Sequence, residues 1–275
     1  ESTPPSPETS PILGKLVLFS KTLPAKYEDW EAGSKALLDK DSIIGNGTLG
    51  TVYKATFDAG ISLAVKKLET LGRIKNAEEF EEEIGRLANV RHPNVVVMQG
   101  YFWSSAMQLL LSDFIPNGSL HSHLHDDSYG ELNWRRRFRI ALGTARGLAY
   151  LHHDCRPHIL HCDIKPENVL LDHEFTAKVA DFGLARKLEG VKSDVYMSCI
   201  RGTRGYMAPE WLKTTEITSK ADVYSYGIML LRLVRGLHNR GDDEESLVDW
   251  AYHFISAAEE EERNHHEEEP SISNG

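Results

Sequence analysis

The chain is poor in cysteine: Cys155, Cys162 and Cys199 are odd in number and far apart. That count excludes a disulfide framework and reads as reduced thiols in a cytosolic setting. No apolar run approaches the roughly 20 residues needed to span a bilayer. No basic-then-apolar leader stands at the start, which is rich in Pro and Ser instead. Positive charge is short as well, and a net charge of -10 argues against a nucleic-acid surface. Metal-ligand spacing is missing around His121, His123 and His125, which have no Cys or Glu-x-x-His partner. They are expected to be a solvated polar helix start, and the pairs His152-His153 and His265-His266 are read the same way. There are no internal repeats.

What is present is a chain of 275 residues with 41% hydrophobic content, enough for one large domain or two lobes with a sizeable core. Residues 1–11 hold four prolines among Ser, Thr and Glu and are expected to be disordered. Residues 12–40 carry a short β-like run at 16–19 and read as a flank packed on a domain edge. From residue 43 the pattern is strand and turn. Residues 61–68 alternate, with Ala64, Lys66 and Leu68 on one face. Residues 77–88 read as a helix whose Phe80, Ile84 and Leu87 form an apolar stripe, and strands are expected over 95–102 and 107–111. Beyond Pro116-Asn117-Gly118 the period is helical. A long helix over 134–152 has Phe138, Leu142, Ala145, Leu148 and Leu151 as apolar positions. Residues 222–234 are nearly continuously apolar, as in a fully buried helix. A helix over 246–257 precedes an acidic run, seven glutamates and one arginine between 259 and 269.

The chemistry concentrates in His161-Cys162-Asp163-Ile164-Lys165-Pro166-Glu167-Asn168. An acid, a lysine and an amide lie within six residues of one another. Phosphoryl transfer needs a carboxylate to orient a hydroxyl, a cation near the moving phosphate and an oxygen to hold a metal. Asp181-Phe182-Gly183 follows Asp163 by eighteen residues, a second carboxylate at a glycine hinge. Upstream, Gly45-x-Gly47-x-x-Gly50 lies between two strand-like runs. A dinucleotide-binding fingerprint needs a helix there, and βαβ order is absent. A glycine hairpin can lay backbone N–H groups over phosphates. Lys66 needs a partner if buried, and Glu83, bordering the apolar stripe, is the expected one.

The strings GNGTLGTV, LAVK, FEEEI, HPNVV, PNGSL, YLHHDC, HCDIKPENVLL, DFGLA, GTRGYMAPEW and DVYSYG occur in that order. Together they resemble the protein kinase domain of the plant receptor-like kinases, of leucine-rich-repeat or lectin type. The resemblance implies an α+β, two-lobed fold: a small antiparallel sheet lobe with one helix at 41–115, and a mainly helical lobe at 116–257. Residues 1–40 become a juxtamembrane-like flank and 258–275 an acidic tail. It also implies ATP and Mg2+, with serine/threonine specificity suggested by Lys165 in KPEN. By position, Gly45, Gly47 and Gly50 cover the phosphates, Ile44 and Asn46 of the same hairpin also bind the nucleotide, and Val52, Ala64 and Leu170 sandwich adenine. The backbone of Asp113 and Ile115 bonds the adenine edge, and Ser112 stands at the back of the pocket, where a bulky aromatic is common. Lys66 and Glu83 hold the phosphates. Asp163 accepts the hydroxyl proton, Lys165 stabilises the moving phosphoryl group, and Asn168 and Asp181 bind the metal. Partners are protein substrates and a homo- or hetero-dimeric co-receptor kinase. Location is the cytoplasmic side of the plasma membrane, through a segment outside this chain. The alternative is a nucleotide-binding pseudokinase scaffold.

Four departures from that pattern stand out. Cys162 replaces the arginine that pairs with an activation-loop phosphate in many kinases, so phosphorylation of Ser193, Tyr196, Ser198 or Thr203 is expected to switch activity weakly. Arg232 stands where the family usually has glutamate, near the substrate side, and weakens a preference for basic substrates. The lower lobe reads as shortened. Glu210 is then expected to be buried without its family partner, Arg263 being a poor substitute.

Overall fold

A computed structural model describes residues 14–20, 40–47, 50–57, 60–69, 76–125, 132–182, 202–212 and 218–235, with Asp249, Tyr252 and Ser256. The upper lobe is a six-stranded antiparallel sheet: β1 (Lys15–Leu18), β2 (Ile43–Gly47), β3 (Gly50–Thr56), β4 (Ser62–Leu68), β5 (Met98–Trp103) and β6 (Gln108–Asp113), in the order β1-β5-β6-β4-β3-β2. The flank read at 16–19 is thus an edge strand paired with β5. Alternation along β4 and β6 sorts the two faces. Leu63, Val65, Leu109 and Leu111 pack with Ala55 and Phe57 on one side. Leu68 and Leu110 join the main core on the other.

Helix α1 (Ala77–Leu87) covers that second face. Asn76 caps it by accepting the Glu78 N–H at 2.9 Å, and Glu78 and Glu79 complement the dipole of the first turn. Phe80, Ile84 and Leu87 are buried as their spacing predicts, and Phe80 meets Tyr101 edge-on at 5.4 Å.

The lower lobe holds α2 (Leu120–His125), α3 (Trp134–Ala149), the two-stranded sheet β7 (Val169–Leu171) and β8 (Ala177–Val179), and α4 (Ser219–Arg235). The predicted helix over 134–152 ends as a π-turn, Tyr150–Asp154. Of its expected apolar positions, Leu148 and Leu151 are buried, but Phe138 and Leu142 are exposed. Ile140, Gly143, Thr144, Gly147 and Leu148 point inward, whereas Trp134 is 64% and Phe138 61% exposed. Small residues decide this, because α3 presses onto β8 and onto Asn94. A Cβ on Gly147 would stand 2.5 Å from the Asn94 carbonyl oxygen. Asn94 in turn joins the lobes: its Nδ2 donates to the Ala177 carbonyl at 2.9 Å and its carbonyl accepts the Val179 N–H at 2.9 Å.

Helix α4 is buried along one face only, with Val223 and Val234 about half exposed, so the apolar run at 222–234 overstated its burial. Glu210 is exposed in the short turn Pro209–Leu212, not buried, so the cost of desolvating it unpaired does not arise. The helix expected over 246–257 falls largely outside the described residues, as do the acidic run, Arg263 and residues 1–11; Asp249, Tyr252 and Ser256 are helical. No described helix is long and apolar enough to cross a membrane.

Gly147→Ala isolates the α3–β8 contact. Helix propensity alone favours alanine by about 1 kcal/mol. The clash with backbone outweighs it, and a net loss of about 1–3 kcal/mol is expected in chemical denaturation. A stabilised variant would contradict the packing.

Candidate active site

The sheet register builds the upper wall of a cleft of ≈ 710 Å³. Val52 pairs with Lys66 and Lys66 with Leu110; Ala64 pairs with Ser112 and Ser112 with Met98. Cross-strand partners share a face, so all six line the cleft, together with Ile44, Gly45, Asn46 and Gly47 from the β2–β3 hairpin. Met98, Leu110 and Phe182 flank the end where Ser112 sits, and the Ser112 hydroxyl is 3.5 Å from the Ala64 carbonyl. Phe114, Ile115 and Pro116 cross between the lobes, and Leu170 forms the floor.

Below, one buried carboxylate shapes the loop. Asp222, 1% exposed at the start of α4, accepts the backbone N–H of His161 at 2.8 Å, that of Cys162 at 2.7 Å, and His152 Nε2 at 2.7 Å. Burial pushes its pKa up. The His152 hydrogen bond, the nearby His161 and the two backbone N–H groups outweigh that and hold it below 3.8. The His161 ring then accepts the Asp163 N–H on Nδ1 at 3.2 Å, which leaves Nε2 to donate to the Ala180 carbonyl at 2.7 Å. Cys162 sits at φ 65 and Asp181 at φ 61, a conformation that costs side-chain-bearing residues and turns both ends of the site inward. The Cys162 side chain packs with Ala208, Trp211 and Ala221 in an apolar cluster.

Held in this way, the charged groups converge. Lys66 Nζ is 2.6 Å from Asp181 Oδ2. Asp163 Oδ1 accepts the Thr203 hydroxyl at 2.7 Å and its N–H at 3.1 Å, while Lys165 Nζ lies 3.0 Å from Asp163 Oδ2 and 2.6 Å from the Thr203 hydroxyl oxygen. Asn168 Nδ2 donates to the Asp163 carbonyl at 2.8 Å and to its Oδ2 at 3.1 Å. Burial raises the Asp163 pKa, but the Lys165 charge and the Thr203 and Lys165 hydrogen bonds win and hold it below 3.8. Asp163 is therefore an anion at neutral pH. Asn168 spends its nitrogen on Asp163, which leaves the amide oxygen as an acceptor facing the cleft that Asp181 also lines. This hard, all-oxygen donor set fits a small divalent cation.

Most of the expected positions thus gather around one cleft: Ile44, Gly45, Asn46, Gly47, Val52, Ala64, Lys66, Ser112, Ile115, Lys165, Asn168, Leu170 and Asp181 line it. Asp163 adjoins it through Lys165 and Asn168. Gly50 ends the hairpin against β4, where a Cβ would meet the Lys67 carbonyl at 1.9 Å. Asp113 turns aside to accept from Gln99 Nε2. Glu83 lies in α1, but its side chain is outside the described residues; among those described, Lys66 pairs with Asp181.

The histidine readings need correction. His152 is buried on Asp222, and His123 is buried with Nε2 2.8 Å from the Asn117 carbonyl, because short helices pinned to the loop pull these rings in. His121, His125 and His153 do stay at least partly exposed. No group of metal-ligating histidines or cysteines forms among the described residues. Thr203 is engaged with Asp163 and Lys165; Ser193, Tyr196 and Ser198 lie outside the described residues. Its role, like those of Asp222 and His161, is not legible in the sequence because each depends on partners 19 to 70 residues away.

Residues 38–274 match the protein kinase domain family. A G-type lectin S-receptor-like serine/threonine-protein kinase of Arabidopsis thaliana is 46% identical over 225 residues, covering 81% of this chain and 26% of the relative. A receptor-like serine/threonine-protein kinase of the same plant is 43% identical over 242 residues, 86% of this chain and 67% of the relative. The chain therefore spans about a quarter of the first relative's length. Among solved structures, the pseudokinase domain of BIR2, an immune regulator of the RLK/Pelle family, superposes with a TM-score of 0.72 at 39% identity, over 90% of this chain and 74% of that one.

The Asp222 pKa is lower folded than unfolded, so its stabilisation is complete above about pH 4 and is lost as pH falls through the folded value. Asp222→Asn is expected to cost about 3 kcal/mol at pH 7 and to flatten the acid limb of stability against pH. An unchanged acid limb in urea melts from pH 7 to 3 would refute the hub.

Proposed function

This chain belongs to the protein kinase domain family, and we propose that it transfers the γ-phosphoryl group of ATP to serine and threonine hydroxyls of proteins. The observation that carries this is the meeting of Lys66, Asp163, Lys165, Asn168 and Asp181 at a single cleft, with Lys66 and Asp181 2.6 Å apart. The glycine hairpin lies over the triphosphate, and Val52, Ala64 and Leu170 enclose the base. Backbone groups at Asp113 and Ile115 bond its edge. Lys66 engages the phosphates, with Glu83 supporting it. Asn168 and Asp181 are the residues to hold Mg2+, which supplies neutralisation of phosphate charge. Asp163 orients the acceptor hydroxyl and takes its proton, and Lys165 shares the charge of the group in flight. Thr203 fixes both by its bonds to them. Such catalysis is positioning and electrostatics rather than covalent chemistry.

We read the chain as the cytoplasmic kinase portion of a plasma-membrane receptor, acting on protein substrates beside a co-receptor kinase, a reading supported by the receptor-like names of its relatives. Residues 41–115, with the edge strand at 15–18, and 116–257 are read as the two lobes, with 258–275 as an acidic tail. A second reading, a nucleotide-binding scaffold without turnover, is favoured by one observation: the superposing solved domain is described as a pseudokinase.

Asp163→Asn keeps the cleft but removes the base. Phosphoryl transfer in an autophosphorylation assay is expected to fall by about 100-fold or more, while the thermal shift given by Mg-ATP is unchanged. Wild-type protein that binds Mg-ATP without transfer would favour the scaffold.

A further inference from the structure

Helix α1 has 11 residues, and its buried stripe is Phe80, Ile84 and Leu87. A helix that short takes its stability from packing more than from its own hydrogen bonds. Part of that packing comes from β1, far upstream in the chain. Antiparallel pairing sets Lys15 opposite Trp103 and Val17 opposite Tyr101, so these four share a face. It is the face that α1 covers: Val17, Phe19 and Trp103 pack on the core that holds Phe80, Ile84 and Tyr101. Leu18 and Phe102 pack on the opposite side of the sheet.

Two contacts run from β1 to α1. The first is a chain of three rings. Phe19 meets Tyr101 edge-on with centroids 6.0 Å apart, and Tyr101 meets Phe80 of α1 edge-on at 5.4 Å. Both lie within the spacing that edge-to-face aromatic pairs prefer. The second is Lys15 Nζ, 2.6 Å from Glu81 Oε1, next to Phe80 in α1. Both ends of that ion pair meet solvent, so it adds little by itself. The backbone secures β1 to β5: the Phe19 N–H donates to the Gln99 carbonyl at 2.8 Å, which carries the pairing past Leu18. Gly100 permits the approach. A Cβ there would stand 2.3 Å from the Val17 carbonyl oxygen and 3.2 Å from Leu18 Cα.

We propose that β1 is a strap that sets the position of α1, with Phe19 as a positioning residue that acts through Tyr101 and Phe80 on Glu83 and so on the hold of Lys66 on the nucleotide phosphates. Glu83 lies three residues beyond Phe80 on the same helix, so a helix loosened at Phe80 carries Glu83 with it. The last link, from Glu83 to the nucleotide, rests on the kinase reading above. The link from β1 to α1 stands on the ring contacts and the strand pairing alone.

The test uses the full chain and reads the helix and the nucleotide separately. Backbone hydrogen exchange is followed over 77–87, and affinity for a non-hydrolysable ATP analogue with Mg2+ is taken by titration calorimetry. Phe19→Ala and Gly100→Ala, which release β1 from either side, are each expected to speed exchange across α1 and to weaken analogue binding by about fivefold. Exchange in α3 is expected to stay as in wild type, and Phe19→Tyr to keep wild-type values throughout. Glu83→Gln alone is expected to weaken binding, and Phe19→Ala added to it to cost nothing further, because both act through one path. A general loss of packing would add to it instead. Unchanged exchange across α1 in both β1-releasing variants, equal acceleration in α3, or additive losses with Glu83→Gln overturns the proposal. Wild-type protein that binds the analogue but transfers no phosphate from Mg-ATP, with the variant effects intact, removes the kinase reading and leaves the strap standing.

Discussion

The arrangement depends first on how a buried carboxylate fixes a loop. Asp222 sits at the start of a helix and receives two consecutive backbone N–H groups and an imidazole. A carboxylate bonded this fully is cheap to keep ionised in the core; one left with a missing partner is not. The loop at His161 and Cys162 therefore has one low-energy path past it. Because Cys162 is forced to φ 65, the next residue, Asp163, emerges toward the cleft. His161 carries the same constraint across to the Ala180 carbonyl, one residue before Asp181. The backbones that carry the two acids are thus joined by a single hydrogen-bonded frame, and contacts with Thr203, Lys165, Asn168 and Lys66 set their side chains.

The upper wall has a different logic. Antiparallel register repeats every second residue, so the pairing of β3, β4, β6 and β5 brings two rows of side chains to one face. One row has Lys66 at its centre, between Val52 and Leu110, and its 2.6 Å contact with Asp181 ties the sheet to the lower loop. Asn94 makes a second tie from behind, through Ala177 and Val179. Cys162 shows what replacing a cation does here: its thiol completes an apolar cluster with Ala208, Trp211 and Ala221, so the loop is held by packing where an arginine would need an anion.

Much of this was legible in the chain. The alternation at 61–68 put Ala64 and Lys66 on one face, the stripe of α1 was correctly phased, and the motifs around Asp163 and Asp181 supply the lower part of the cleft lining. What could not be read was anything set by close approach or by a distant partner. Phe138 and Leu142 have the spacing of a core stripe, yet Gly143 and Gly147 draw the other side of α3 inward because only they allow contact with Asn94. His152 resembles a solvated histidine until Asp222, seventy residues on, is placed against it. Glu83, chosen for Lys66 by its position along a helix, has its side chain outside the described residues, and the described contact of Lys66 is made across the cleft to Asp181.

The most direct test of a single nucleotide cleft is backbone hydrogen exchange, with and without a non-hydrolysable ATP analogue and Mg2+. The account predicts slowed exchange confined to three segments that face one another: the hairpin at 44–53, the crossing at 113–116 and the loops at 163–170 and 180–182 taken together. Exchange unchanged in these segments, or protection found only elsewhere, would contradict it.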